Sequence, residues 1–253
     1  MNDASEGLGN KAAATIIDPE AHPSGTVITV SPWRAAVRAR WAQVVMIGGL
    51  SVYTLMAVLA HYYAYFDWDL SIARHIQSID LPGFRTLMIW VSRLGSGWVP
   101  TALVGGSSLL LMAARFRLEG ATCLVGVTLG AGLNTLLKDI SARPRPSDEL
   151  VNVITQYRHE SFPSGHVVFF VEYFGLLFFL SYVLLRRGRL RKAAFVLLGL
   201  LIGLVGVSRV YMGAHWPSDV IGAYLAGGLW LLLVIEIYRR LKARQTNLVS
   251  KPA

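Results

Sequence analysis

Six long stretches of the chain are almost free of charge, and the basic residues gather at their ends. They run from Trp41 to Ala60, Leu94 to Ala114, Gly120 to Leu137, Val167 to Leu185, Ala193 to Met212 and Asp219 to Tyr238. Each approaches the ~20 residues that an apolar helix needs to cross a bilayer. The first three carry no charge, the fourth contains Glu172, and the fifth reaches spanning length only by taking in Arg209. Between the first two, residues 67–93 mix Asp67, Asp69, Arg74, His75, Asp80 and Arg85 with Phe84, Leu87, Met88, Trp90 and Val91. That pattern predicts a short interfacial helix after Leu81-Pro82-Gly83.

The fold class that follows is all-α: a polytopic membrane protein with a six-transmembrane-helix bundle. Residues 1–40 form an N-terminal segment, 41–241 the membrane domain and 242–253 a tail. Residues 1–31 have scattered Gly, Ala, Asp and Pro, with neither an apolar core nor a cleavage site, so they are expected to be disordered and not a signal peptide. Orientation follows from the loops. With both termini cytoplasmic, 16 of the 24 Lys and Arg lie inside, and the Arg186–Lys192 loop holds five basic residues without an acid.

Composition agrees: 54% of the 253 residues are hydrophobic and only 15% charged, which excludes an ordinary soluble domain. The net charge of +9 could suggest nucleic acid, but the cations flank apolar runs instead of forming a stripe with aromatics. Membrane lipids are the expected partner, with no nucleic acid. The single cysteine, Cys123, allows neither an intrachain disulfide nor a cysteine zinc site. Gly126 with Gly130, and Gly199 with Gly203, have the spacing of closely packed helices.

Three polar constellations exceed what membrane insertion needs. Lys138 to Pro146 ends the third stretch, Pro163-Ser164-Gly165-His166 opens the fourth, and Ser208 to Asp219 joins the fifth to the sixth. In the charge-derived topology all three fall on the outer face. Singly, each has a bland reading: snorkelling cations, a capping serine with a surface histidine, an interfacial His215. Together they compose an anion site. Phosphoryl transfer places negative charge on three oxygens and is catalysed mainly by positioning and electrostatics. Lys138, Arg145 and Arg209 offer cations, and Ser164 with the Gly165 amide adds donors at a helix N-terminus. Of two histidines, His166 and His215, one can attack phosphorus and the other protonate the departing oxygen. Asp219, four residues after His215, can orient it.

Lys138, six residues, Arg145-Pro146; Pro163-Ser164-Gly165-His166; and Ser208-Arg209, five residues, His215, three residues, Asp219 together resemble the three-part signature of the type-2 phosphatidic acid phosphatase superfamily. The resemblance covers about Leu81 to Leu241, leaves residues 1–40 outside, and extends in the active site to soluble vanadium haloperoxidases. It implies that His215 forms a phosphohistidine, Asp219 orients it and His166 protonates the leaving group. It also implies that Lys138, Arg145, Ser164, Gly165 and Arg209 hold the phosphoryl oxygens, with no metal and no cofactor.

The expected activity is removal of a terminal phosphate from a lipid phosphate or diphosphate on the extracytoplasmic face. Undecaprenyl diphosphate leads, followed by phosphatidylglycerophosphate and phosphatidic acid. A bacterial inner membrane suits a chain with no Asn-X-Ser/Thr sequon. The alternatives are a lipid-to-lipid phosphotransferase with the same site, or a non-catalytic lipid binder or translocator. Further expectations concern single residues: Arg143 for a second phosphate, Glu172 with a polar partner such as Asn134, and residues 147–160 as a specificity loop in which Arg158 and His159 face water.

Overall fold

The computed structural model describes residues 14–17, 27–30, 32–157 and 159–249. Among them are eight helices: α1 Pro32–Tyr62, α2 Asp67–Gln77, α3 Phe84–Arg93, α4 Val99–Ala113, α5 Arg117–Ser141, α6 Gly165–Leu184, α7 Arg189–Tyr211 and α8 Pro217–Val249. The chain divides into two compact units, residues 1–48 with 239–253, and residues 49–238. In the first, β1 (Ala14–Ile17) pairs antiparallel with β2 (Val27–Val30), Ala14 opposite Val30. The disorder expected over residues 1–31 is therefore not found at these eight positions, where Ile, Val and Thr suit a pleated pair. The rest of that stretch lies outside the described residues.

The second unit is built around α6. Its sequence is apolar on every side, as befits a helix surrounded by others, and Val167, Phe170, Tyr173, Leu176 and Leu180 are buried. The α5 and α7 helices flank it, α4 packs on α5, and α2 and α3 pack on α7. Phe170 meets Phe174 edge to face at 4.8 Å, and the Tyr173 hydroxyl donates to the Leu103 carbonyl of α4 at 3.0 Å. The Trp230 indole of α8 donates to the Gly126 carbonyl of α5 at 2.8 Å. Such bonds give the aromatic polar tips partners in an apolar setting.

Among the described residues, five helices are long and apolar enough to cross a membrane: Arg40–Tyr62, Arg117–Ser141, Gly165–Leu184, Arg189–Tyr211 and Pro217–Gln245. The second expected span, Leu94 to Ala114, is shorter than its apolar run. Leu94 to Trp98 form a turn in which Gly97 takes φ +60°, and α4 begins only at Val99 with Pro100 in its first turn. Its 15 residues rise about 22 Å at ~1.5 Å each. Apolarity alone cannot distinguish a helical residue from one in a turn.

The helix after Leu81-Pro82-Gly83 is α3. The α2 helix was not expected. Asp67 and Asp69 occupy its first turn and Arg74 and His75 its last, matching the helix dipole at both ends. Of the glycine pairs, Gly126 lies against Val234 and Gly130 against the Glu172 carboxylate, whereas Gly199 and Gly203 have open space in front of them. The close approach expected at the second pair is thus absent among the described residues. Glu172 Oε2 and Asn134 Oδ1 are buried without a hydrogen-bond partner.

Candidate active site

The three constellations meet at one end of the bundle. Lys138 stands in the last turn of α5. Its Nζ donates to the Glu160 carbonyl at 2.6 Å and reaches the Ser161 carbonyl at 3.4 Å. These bonds hold the loop between α5 and α6 over the ammonium group. A left-handed Ala142 ends α5, and the chain returns through Arg143-Pro144-Arg145-Pro146. Arg145 donates from Nε to the His159 carbonyl at 2.5 Å, from Nη1 to the Ala214 carbonyl at 2.7 Å and from Nη2 to the Glu160 carbonyl at 3.2 Å. Burial first, and then the nearby Arg209 charge, lowers the Arg145 pKa to about 10, so the guanidinium stays charged.

Ser164 is the N-cap of α6 in extended geometry. Its Oγ is buried and has no partner, leaving it free to serve a ligand. At Gly165 a Cβ would lie 3.1 Å from Asn134 Nδ2 and 3.6 Å from Lys138 Cε. Glycine lets α5 and the cation come up against the helix start. Arg209, in the last turn of α7, is fully buried and donates from Nη1 to Ser92 Oγ at 2.5 Å. Its Nε and Nη2 have no aligned acceptor. Unsatisfied buried guanidinium donors are costly and mark a place where acceptor oxygens belong.

His215 follows the turn at Gly213, where φ is +64° and a Cβ would strike the Asn152 carbonyl. The glycine therefore docks the 147–160 loop on the α7–α8 turn, where Ile154 N–H also donates to the Met212 carbonyl at 3.0 Å. The His215 Nε2 lies 3.1 Å from Arg145 Nη1. A guanidinium can only donate, so this Nε2 is the unprotonated nitrogen and faces the cations. Nδ1, which carries the proton, faces Asp219 Oδ2 at 3.6 Å and Ser161 Oγ at 3.5 Å. Contacts of this kind commonly tighten only when substrate is bound. Burial, followed by the charges of Arg145, Lys138 and Arg209, holds the His215 pKa well below its ordinary value. The imidazole stays neutral and able to attack.

His166, in the first turn of α6, has its Nε2 2.9 Å from Ser96 Oγ. Ser96 also donates to the Ser92 carbonyl at 2.9 Å. With its only proton used there, Ser96 accepts from the imidazole and sets its tautomer. Tyr157 closes the front. Its ring meets His166 edge to face at 5.8 Å, with the guanidinium carbons of Arg145 and Arg209 at 5.1 and 4.9 Å from its centroid. Burial alone would raise the Tyr157 pKa, but the Arg209 charge and contacts with Arg209, Ser92 and Ser96 pull it below its ordinary value.

All eight residues marked by spacing, Lys138, Arg145, Ser164, Gly165, His166, Arg209, His215 and Asp219, therefore line one site. Arg143 does not join the cradle as a second phosphate ligand. It is wholly buried behind His215, in ion pairs with Asp69 and Asp219. His159 is exposed as expected, and Arg158 lies outside the described residues. Spacing did not reveal Asp69, Ser92, Ser96, Tyr157 or Ser161. The i,i+4 relation of Ser92 and Ser96 at a helix end was the one visible signal, and it is too common to be informative.

Comparison with known proteins identifies the family. Residues 119–243 match the PAP2 superfamily. Phosphatidylglycerophosphatase B of Bacillus subtilis is 26% identical over 196 residues, covering 75% of this chain and 93% of that protein. An undecaprenyl-diphosphatase of Sulfolobus acidocaldarius is 30% identical over 160 residues, covering 60% and 69%. In fold, the crystal structure of a transmembrane PAP2-type phosphatidylglycerolphosphate phosphatase from Bacillus subtilis superposes with a TM-score of 0.65 at 24% identity, over 77% of this chain and 96% of that one. The chain belongs to the PAP2 superfamily. It is an integral membrane enzyme of the lipid phosphatase class.

Proposed function

We propose that this enzyme hydrolyses a lipid phosphate or diphosphate through a phosphohistidine at His215. The carrying observation is the orientation of His215, with Nε2 toward the cations and Nδ1 toward Asp219. In the first half-reaction Nε2 attacks phosphorus in line, the bond from phosphorus to the lipid-side oxygen breaks, and His166, entering as the imidazolium with Nε2–H kept on Ser96, gives that oxygen its Nδ1 proton. In the second, water attacks the phosphohistidine and gives a proton to His166. Inorganic phosphate leaves and Nε2 is restored. Asp219 stabilises the positive charge that the ring acquires when Nε2 bonds to phosphorus.

Lys138, Arg145 and Arg209 hold the three phosphoryl oxygens, with Ser164 Oγ and the Gly165 amide at the positive end of α6. Three cations provide charge compensation without a divalent ion, so hydrolysis should persist with a chelator. The substrate belongs to the class formed by undecaprenyl diphosphate, phosphatidylglycerophosphate and phosphatidic acid. Support comes from relatives named as phosphatidylglycerophosphatase, undecaprenyl-diphosphatase and lipid A 1-phosphatase. The headgroup enters at the interface beside Tyr157 while the tail remains in the bilayer.

The six apolar runs support six crossings, and the distribution of Lys and Arg supports cytoplasmic termini and an extracytoplasmic active site, in a bacterial inner membrane as for a chain with a bacterial relative. Cysteines introduced between Arg186 and Lys192 should resist an impermeant thiol reagent in intact cells; labelling there reverses the orientation. The reaction is tested with phosphate-labelled lipids of the three kinds and purified protein in detergent. Labelled inorganic phosphate and an acid-labile protein adduct are expected, both lost in His215→Ala. Hydrolysis by that variant at the wild-type rate overturns the mechanism, and label transferred to a second lipid would make the enzyme a phosphotransferase.

A further inference from the structure

We infer that Arg143 and Asp69 are positioning residues for the reaction, a two-member clamp that holds Asp219 in the orientation from which it directs His215. Arg143 lies within the first constellation but is not one of its spaced motif residues, Lys138 and Arg145, and Asp69 lies on α2, far from Asp219 in sequence. The inference rests on His215 being the nucleophile.

The Asp219 carboxylate is fixed at both oxygens. Oδ1 accepts from Arg143 Nη1 at 2.5 Å. Oδ2 accepts from Ser161 Oγ at 2.5 Å and from Trp216 N–H at 2.9 Å, and faces His215 Nδ1. Rotation of the carboxylate would take Oδ2 away from the imidazole, and the Arg143 fork on Oδ1 opposes that rotation. The fork is itself held. Nη2 donates to Asp69 Oδ2 at 3.1 Å, Nη1 also reaches Ser218 Oγ at 2.7 Å, and Nε lies 3.2 Å from both the Tyr63 and Ala64 carbonyls.

Asp69 is locked in turn. Ser218 N–H donates to its Oδ1 at 2.7 Å, and its Oδ2 receives Ser218 Oγ at 2.7 Å and Phe66 N–H at 3.1 Å. Arg143 and both carboxylates are buried to 1% exposure or less. The clamp therefore has no access to substrate. A planar guanidinium with donors on two adjacent nitrogens can bridge two carboxylates in fixed relation, which a lysine cannot. Arg143 also separates two like charges that would otherwise face each other in a dry interior.

The test compares wild type with Arg143→Lys, Arg143→Gln, Asp69→Asn and the double variant Asp69→Asn/Arg143→Gln, each purified in detergent. The readouts are kcat and KM on undecaprenyl diphosphate, inhibition by orthovanadate and thermal unfolding. By analogy with the groups that orient metal ligands, loss of a positioning partner is expected to cost about 10- to 100-fold. The expected result is such a fall in kcat for Arg143→Gln and Asp69→Asn, with KM and the vanadate inhibition constant within about twofold of wild type. Arg143→Lys should restore part of kcat, and the double variant should be no slower than Arg143→Gln.

Wild-type kcat in folded Arg143→Gln and Asp69→Asn overturns the clamp. So does vanadate affinity falling in step with kcat, which would make the residues general scaffolding. Where Arg143→Gln does not fold, Arg143→Lys and Asp69→Asn decide by the same criteria. A His215→Ala control separates the two readings. Hydrolysis by that control removes the nucleophile assignment itself, whereas an inactive control beside wild-type clamp variants removes only the clamp.

Discussion

The two faces of His215 differ in their charge balance. Behind it, Asp219, Arg143 and Asp69 alternate in sign at 2.5 and 3.1 Å, and hydroxyl and backbone donors complete the carboxylates. In front of it, Arg145, Arg209 and Lys138 bring three cations together, and after burial the Arg209 charge lowers the proton affinity of Arg145. Arg209 Nε, Arg209 Nη2 and Ser164 Oγ have no partner there. A network that is complete within the protein makes a rigid support. A cluster of like charges with unpaired donors is destabilising until an anion enters, so binding energy and function reside in the same atoms.

This contrast predicts opposite consequences for substitutions on the two faces. The largest effect on turnover should come from His215→Ala, which removes the bond-forming atom. By analogy with other nucleophile deletions, kcat should fall by at least about 1000-fold, measured as phosphate release. Arg209→Met should follow, lowering kcat by roughly 100- to 1000-fold as for an oxyanion donor. Its thermal stability should be no lower than wild type, because a buried, unsatisfied charge is gone. Orthovanadate should raise the unfolding temperature of wild type but not of this variant. A large loss of stability in Arg209→Met would place it with the paired face instead.

On the paired face, Arg143→Met leaves two buried carboxylates without their cation and should cost about 3–5 kcal/mol. A melting temperature close to wild type would show that the network contributes little to folding. Ser96→Ala should be milder, lowering kcat about tenfold by freeing His166 to turn, with little change in KM. An unchanged kcat would show that Ser96 does not orient the imidazole.

The smallest effect concerns pH. Above the ordinary histidine value of ~6.5, His215 is neutral both folded and unfolded and contributes nothing to the pH dependence of stability. As pH falls below that value, the unfolded chain takes up the proton first. Stability therefore declines down to the depressed folded pKa. The acid limb of kcat/KM, which reports the free enzyme, should accordingly lie below pH ~6.5. A limb at or above that value would mean that His215 is more solvated, or closer to Asp219, than its burial and the three cations imply.

Much of this protein could be read from one dimension. Charge-free stretches locate the long helices because a bilayer demands continuous apolar length. Lys138, Arg145, Ser164, Arg209, His215 and Asp219 stand out because charge and catalytic chemistry at the ends of such helices need a reason. Arg143 illustrates the limit. In sequence it resembles Arg145, two positions away, yet one guanidinium faces the cradle and the other points backward into a pair of aspartates.

Helix periodicity places neither residue, since both lie in the extended return after α5. The same holds for Asp69 and for Ser96, which meet His215's support and His166 only after α2 and α3 dock on α7. Sequence by itself determined the membrane class, the long helices and the inventory of reactive groups, because those depend on local composition and spacing. Tertiary structure alone decided which charges are paired and which remain open, because a hydrogen bond depends on distance and direction between segments that the chain brings together only when folded.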